Sequence, residues 1–382
     1  MGISPFRINV PDEDISDLKL RLARTRWPNT LDAASWEDGT SLAFLQKLVH
    51  QWSHRFDWRA EEARLNQLPH FKTEIAGLDI HFIHKRGTGP APMPLVLTHG
   101  WPGSFTEFER IIPLLTDPGA HGGDPADAFD VVVPSLPGYG FSSAPLKAGT
   151  GSRAIAGIWH DLMTTLGYRR FGAQGGDIGA GVSTWLARLY PADLIGVHLN
   201  YVSAGFRPTL SPGEEPTQEE SAYQQRVLAW SALEGAYSAL HATKPQTLAF
   251  ALTDSPVGLA AWIAEKFRAW SDCNGDLESI ISLDTLLTDI SIYWFSGNLD
   301  SALRLYKENR LDPLVFDFGE RLAPSFGIAH FPKELPIPPQ SWVERVADVT
   351  RWSEMPAGGH FAALEQPQLL AEEIRAFFRP LR

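Results

Sequence analysis

One cysteine stands in 382 residues, Cys273. A single thiol excludes an intramolecular disulfide and is compatible with a reducing compartment. With no obvious base beside it, Cys273 reads as a packing residue rather than a nucleophile. Cations are also scarce relative to anions. Lys and Arg total 33 against 45 Asp and Glu, a formal net charge of −12. That balance argues against nucleic acid as a partner, because phosphate binding draws on clustered Lys and Arg. Long apolar runs are missing too. The most apolar stretch, 248–267, is interrupted by Asp254, Pro256 and Glu265 and falls short of a membrane span. The start, Met1-Gly2-Ile3-Ser4-Pro5-Phe6, lacks the apolar core of a leader peptide, and Phe6 breaks the N-acylation pattern. The expectation is a soluble, cytoplasmic protein without a membrane anchor. No internal repeat or low-complexity tract is visible.

What is present centres on one stretch, Phe171-Gly172-Ala173-Gln174-Gly175-Gly176-Asp177-Ile178-Gly179-Ala180-Gly181. It reads as a strand, a tight turn and a helix. The pattern is the G-x-S-x-G nucleophile elbow with Asp in place of Ser. A residue at such a bend sits in strained backbone geometry, so its neighbours must lack bulk. The helix N-terminus behind it favours an ionised carboxylate.

The rest of the chain alternates strands with helices from about residue 86, the rhythm of parallel βαβ units. Strands at 95–98, 129–133, 170–174 and 195–201 each run into Gly-rich loops, and chemistry in such sheets sits beyond the strand C-termini. Residues 105–115 read as a helix. Four segments follow from this pass: an N-terminal extension of helices plus a hairpin, 1–85, which wraps the core; a first part of the α/β core, 86–205; a helical cap without clear strands, 206–320; and a last part of the core, 321–382. Trp27, Trp36, Trp52 and Trp58 in the extension read as packing residues that fasten it to a larger body.

An elbow carboxylate suits displacement at alkyl carbon, which gives an ester of the enzyme. A base must then prime water to hydrolyse that ester. His360 is the candidate, late in the chain and preceded by Gly358 and Gly359. Glu334 is placed to orient it, with Asp300 and Asp317 as rivals, and each acid taken alone reads equally well as solvated surface. Backbone N–H groups of Ile178 and Trp101 are expected to hold the oxyanion of ester hydrolysis. His99 itself reads as a structural histidine. The leaving group is halide or an epoxide oxygen. An alkoxide is far more basic than a phenol of pKa about 10, so tyrosine can protonate it. Tyr223, Tyr237, Tyr293 and Tyr306 lie in the cap, and spacing does not choose among them.

Four strings in this order carry a resemblance: His99-Gly100-Trp101-Pro102-Gly103-Ser104, Pro137-Gly138-Tyr139-Gly140-Phe141-Ser142, Gln174-Gly175-Gly176-Asp177 and Gly358-Gly359-His360-Phe361-Ala362-Ala363. Together with Pro5-Phe6-Arg7 and Arg26-Trp27-Pro28, the chain resembles the microsomal-type epoxide hydrolases over essentially its full length. The resemblance implies the α/β-hydrolase fold, a mostly parallel sheet flanked by helices with an inserted helical cap. It implies Asp177 as nucleophile and His360 as base. The family's Phe-Pro-x-Glu string falls on Phe331 to Glu334 and implies Glu334 as the acid. The family's two cap tyrosines match Tyr237, ahead of Thr243-Lys244-Pro245, and Tyr306, which begins Tyr-Lys-Glu-Asn. Trp101, Pro102 and Ile178 are then expected at the substrate. Members commonly carry Trp where this chain has Ile178, which alters the pocket wall. The implied reaction takes an apolar, aryl-type epoxide and water to a vicinal diol, without metal or cofactor. A haloalkane dehalogenase-like hydrolase and a non-catalytic ligand-binding homologue are the alternatives. A homodimer is left open.

Overall fold

In the computed structural model, residues 2–203 and 205–382 are described. The strands in chain order are β1 (Ser4–Pro5), β2 (His70–Ile75), β3 (Leu78–Lys85), β4 (Met93–Thr98), β5 (Phe129–Pro134), β6 (Phe171–Gly175), β7 (Leu194–Leu199), β8 (Arg207–Pro208), β9 (Val315–Phe316), β10 (Ser325–His330) and β11 (Asp348–Glu354). Nine of them form one sheet in the order β1-β2-β3-β5-β4-β6-β7-β10-β11. From β5 to β11 every pairing is parallel, and β1, β2 and β3 add an antiparallel edge. The β2–β3 hairpin turns through Ala76 and Gly77, with φ of 53° and 76°. Both central residues at positive φ match the hairpin turn whose twist suits its strands.

Burial explains why the central strands read as unbroken apolar runs. Every residue of β5 and β6 is buried, as expected of strands covered on both faces. Alternate side chains go to opposite sides. Val96 and Val132 join a cluster with Ile155, Trp159 and Leu186 of helices 152–165 and 177–189. Leu95, Leu97, Val131 and Val133 join another with Leu370, Ile374 and Phe378 of helix 367–378.

Residues 105–115 do not form one helix. A short 3-10 turn spans Phe105–Phe108, and a separate helix spans Ile112–Thr116. Pro113 has no N–H to give to the preceding turn, so it starts a helix where it cannot continue one.

Residues 206–320 hold six α-helices: Gln218–Glu234, Ala236–Thr243, Pro245–Asp254, Pro256–Trp270, Leu283–Ser296 and Leu299–Leu311. They also hold two short strands that the periodicity did not reveal. β8 pairs with β9 in parallel, fastening the segment's entry to its exit. Two helices of the N-terminal segment, Asp12–Ala23 and Leu42–His54, rest on this helical region, while Trp58–Leu65 packs with the strands. Trp52 Nε1–H donates to Ser291 Oγ at 3.1 Å in buried surroundings, Thr40 Oγ1 donates to the Ala261 carbonyl at 2.7 Å, and Arg21 pairs with Asp254 at 2.8 Å. Among the described residues no single helix is long and apolar enough to cross a membrane. Helices 245–254 and 256–270 meet at a bend of 117°.

The helix 177–189 lies close under β4 because Gly179 has no side chain. A Cβ there would stand 2.0 Å from the Thr98 carbonyl oxygen. Gly179→Ala is therefore expected to destabilise the fold by about 1–3 kcal/mol or more, read as a lower denaturant midpoint. His198 on β7 offers a second test. It is fully buried, neither ring nitrogen has a partner, and burial lowers its pKa to about 4. The unfolded chain takes up a proton near pH 6.5, so the native state loses stability as pH falls from there toward 4. His198→Leu removes that liability. Its stability relative to the parent protein is expected to rise on acidification, as paired urea titrations at neutral and mildly acid pH would show.

Candidate active site

β6 ends at Gly175, and the next helix begins at Asp177 with only Gly176 between them. Asp177 has φ 46°, in the left-handed region that side chains other than glycine avoid. The strained residue is thus held at a helix N-terminus, where free N–H groups favour negative charge. Its side chain keeps 16 % exposure.

Three loops converge on that carboxylate. The loop after β4 delivers the Trp101 backbone N–H, which donates to Asp177 Oδ1 at 2.8 Å. The loop after β11 delivers His360, whose Nε2 lies 3.4 Å from Asp177 Oδ2. The loop after β10 delivers Glu334, whose Oε1 accepts from His360 Nδ1 at 2.5 Å and from the Leu335 N–H at 2.7 Å. The last two loops are tied together. Lys333 N–H donates to the Gly358 carbonyl at 3.1 Å, and the His360 loop is fastened in turn to the end of helix Pro256–Trp270, the His360 N–H donating to the Trp270 carbonyl at 2.9 Å. The rival acids lie elsewhere. Asp300 is exposed beside Arg304, and Asp317 is exposed, whereas the Glu334 side chain is fully buried.

The charges explain the titration of His360. Burial on its own would lower the imidazole pKa. The Glu334 and Asp177 carboxylates outweigh it and raise the value well above the usual range. The resting site is an imidazolium clasped by two carboxylates. His99 behaves differently. Its Nδ1 bonds the Gly100 carbonyl, its Nε2 accepts from Leu136 N–H, and burial takes its pKa down to about 4. A neutral ring locked at both nitrogens is structural.

The cap tyrosines separate into two groups. Tyr237 stacks on Trp101 with centroids 5.2 Å apart and an interplanar angle of 15°. Tyr306 stands edge-on to both, 6.1 Å from Trp101 and 5.9 Å from Tyr237. Burial raises both phenol pKa values, and the nearby Asp177 charge adds to the shift. Both are therefore proton donors at neutral pH. The other two are occupied elsewhere. Tyr293 donates its hydroxyl to the Gly103 carbonyl at 2.8 Å, and Tyr223 packs against Trp342. His241 and Trp270 complete the aromatic wall, with centroids 4.9 Å and 6.2 Å from Trp101.

A small cavity opens on the Asp177 carboxylate and on His360. Trp101 borders it, while Pro102 and Ile178 do not. Ile178 is buried in the first turn of the helix, where its N–H has no intrahelical acceptor. Sequence reading missed three residues here. Glu107 and Asn200 line the cavity. Tyr201 sets its ring edge-on to His360 at 5.7 Å. Their only sequence signal was position, at or just beyond the C-terminal ends of β4 and β7. No group of His, Cys, Asp or Glu suited to hold a metal occurs among the described residues.

A half-buried carboxylate beside a charged imidazole, under a pair of phenols, can attack carbon and then be released by primed water. Similarity to known proteins points to a reaction class. Residues 3–108 match the family model described as "Epoxide hydrolase N terminus", and residues 93–230 match that for the "alpha/beta hydrolase fold". The chain is 47 % identical to a Stigmatella aurantiaca protein provisionally named an epoxide hydrolase, over 100 % of this chain and 86 % of that one. It is 42 % identical to epoxide hydrolase 1 of Oryctolagus cuniculus, over 98 % of this chain and 88 % of that one. The solved structure of Aspergillus niger epoxide hydrolase superposes with a TM-score of 0.87 at 33 % identity, covering 100 % of this chain and 97 % of that one. A carboxylate elbow, an imidazole paired with a buried acid, and likeness along the whole chain all lead to one assignment: this protein belongs to the epoxide hydrolases of the α/β-hydrolase superfamily.

Proposed function

We propose that the protein hydrolyses an apolar, aryl-type epoxide to a vicinal diol through an ester of Asp177. One observation carries the reading. The Asp177 carboxylate lies between the Trp101 N–H at 2.8 Å and His360 Nε2 at 3.4 Å, and the imidazole is backed by Glu334 at 2.5 Å.

In the first step Asp177 Oδ2 forms a bond to a ring carbon, and that carbon's bond to the epoxide oxygen breaks. The electron pair moves to the oxygen, which takes a proton from Tyr237 or Tyr306. Burial keeps both phenols protonated until that moment. Oδ1, already held by the Trp101 N–H, becomes the ester carbonyl oxygen. The imidazolium of the resting site then gives its Nε2 proton to the tyrosinate, and in the second step the neutral His360 Nε2 takes a proton from water while the resulting hydroxide adds to the ester carbon. Negative charge collects on Oδ1, which the Trp101 N–H already holds at 2.8 Å, and the Ile178 N–H, free of an intrahelical acceptor, is assigned as the second donor. Collapse breaks the bond from the carboxyl carbon to Oδ2. The diol leaves with a proton from the imidazolium, and the proton lost by Asp177's new carboxyl restores the charge on His360. The sum is epoxide plus water to diol. No metal or cofactor enters the scheme.

Esterification also switches His360 on. The free enzyme holds the imidazole charged through two carboxylates. Once Asp177 is an ester, only Glu334 remains to support the charge, and burial favours the neutral base. The aromatic wall of Trp101, Tyr237, Trp270 and Tyr306 supports an apolar, flat substrate. The phenol pair favours an oxygen leaving group over halide, because halide has no use for a proton donor of that strength.

His360→Gln is expected to form the ester and to hydrolyse it about 10²-fold more slowly or worse, so intact-mass spectra after mixing with epoxide should show the adduct accumulating. A variant that turns over normally would remove the base from the scheme. In the unaltered enzyme, acidification should re-protonate His360 in the ester and slow its breakdown, while alkylation continues. The steady-state fraction of ester is then expected to rise as pH falls, as quenched-flow sampling would detect.

A further inference from the structure

Glu107 has no part in the scheme so far, yet it borders the same small cavity as Asp177 and His360. The space open to the centre of a water molecule there is about 20 Å³. A buried site needs roughly 10–15 Å³ on that measure to hold one water. The cavity therefore takes a single water, next to the carboxylate that must be hydrolysed and the imidazole that must prime it.

The chain goes to some length to place the Glu107 carboxyl at this point. Glu107 sits in the 3-10 turn Phe105–Phe108, capped by Ser104, whose side chain accepts from the Thr106 N–H. Its carboxyl folds back onto Gly103. A Cβ on Gly103 would stand 1.4 Å from Glu107 Oε1, so only glycine leaves room for it. The Gly103 carbonyl is itself fixed by the Tyr293 hydroxyl at 2.8 Å. Glu107 also has a buried acidic neighbour, Asp289, whose pKa burial lifts to about 7. Burial raises the Glu107 pKa well above the usual carboxylate range, Asp289 and Asp177 add to the shift, and His360 opposes it. A neutral carboxyl can line the cavity without placing another anion beside Asp177.

We infer that Glu107 is a positioning residue for the hydrolytic water. A water attacking the Asp177 ester directs a lone pair at the carboxyl carbon and one O–H at His360 Nε2. Its second O–H needs an acceptor on the remaining side, and Glu107 supplies the carboxyl oxygen there. Glu107 takes up no proton and forms no bond in the step. It holds the water in line while His360 removes the proton. The inference rests on the ester mechanism proposed above. It assigns Glu107 to the second step alone, since alkylation involves no water.

The two steps can be timed separately by quenched flow with intact-mass detection of the enzyme ester under single turnover. Glu107→Leu removes the acceptor and is expected to slow ester hydrolysis about ten-fold or more, with the rate of ester formation unchanged and the ester accumulating. Glu107→Gln keeps an acceptor oxygen of the same reach and should recover most of the loss. Gly103→Ala keeps the acid but pushes it out of place, and should reproduce the Glu107→Leu split between the steps. Equal slowing of both steps in Glu107→Leu and Gly103→Ala would mark a structural role and overturn the inference. So would hydrolysis at the parental rate in either variant. Absence of any ester in the unaltered enzyme and in His360→Gln would instead overturn the mechanism on which the inference rests.

Discussion

The structure turns on one electrostatic arrangement, an imidazolium held between two carboxylates in a buried site. Each member needs the others. The acid and the imidazole could not stay charged inside protein without partners, because an isolated buried charge neutralises instead. Clasped by Glu334 at 2.5 Å and facing Asp177 at 3.4 Å, His360 keeps its proton. The arrangement is also self-cancelling. The reaction proposed for Asp177 removes one of the two charges that support the imidazolium. The same side chain is thereby converted from a counter-ion into a base when a base is needed.

The fold serves this arrangement by bringing the loops after β4, β10 and β11 to the end of the sheet where β6 runs into the elbow. β4, β6, β10 and β11 belong to one continuous parallel array with β7, so their C-terminal ends lie on the same side of the sheet although the loops are far apart in sequence. Close packing sets the fine positions. Gly179 lets the elbow helix touch the end of β4, and Gly103 lets Glu107 fold back beside the cavity. Above the sheet edge, the helical region presents Tyr237 and Tyr306. The N-terminal helices brace that region through Trp52, Thr40 and Arg21. Those contacts give the N-terminal segment a bearing on the lid of the site as well as on the sheet.

Much of this was legible in the order of residues. A carboxylate among glycines between an apolar strand and a helix marks a bend, and Asp177 has the positive φ such a bend requires. Alternating strands and helices gave the parallel sheet. A late His after two glycines was enough to nominate His360. The acid was less legible, since Glu334, Asp300 and Asp317 look alike until burial separates them. The tyrosines could not be told apart by spacing, because the distinction lies in which hydroxyl is already engaged, as that of Tyr293 is with Gly103. Glu107 escaped notice for a related reason. It stands in a stretch that reads as a plain helix, and Pro113 breaks that helix so that Phe105–Phe108 becomes a separate turn aimed at the cavity. Resting helices 12–23 and 42–54 on helices 256–270 and 283–296 is a contact across more than two hundred residues of chain, beyond the reach of any local pattern.

The central claim is that an oxygen atom of Asp177 passes into the product. A single turnover in water enriched with heavy oxygen, with enzyme in excess of epoxide, tests it directly. The diol should carry ordinary oxygen, and peptide mass mapping should place the heavy atom on the carboxylate of Asp177. Heavy oxygen in that first diol, with none on the enzyme, would mean that water attacks the epoxide itself and would contradict the account.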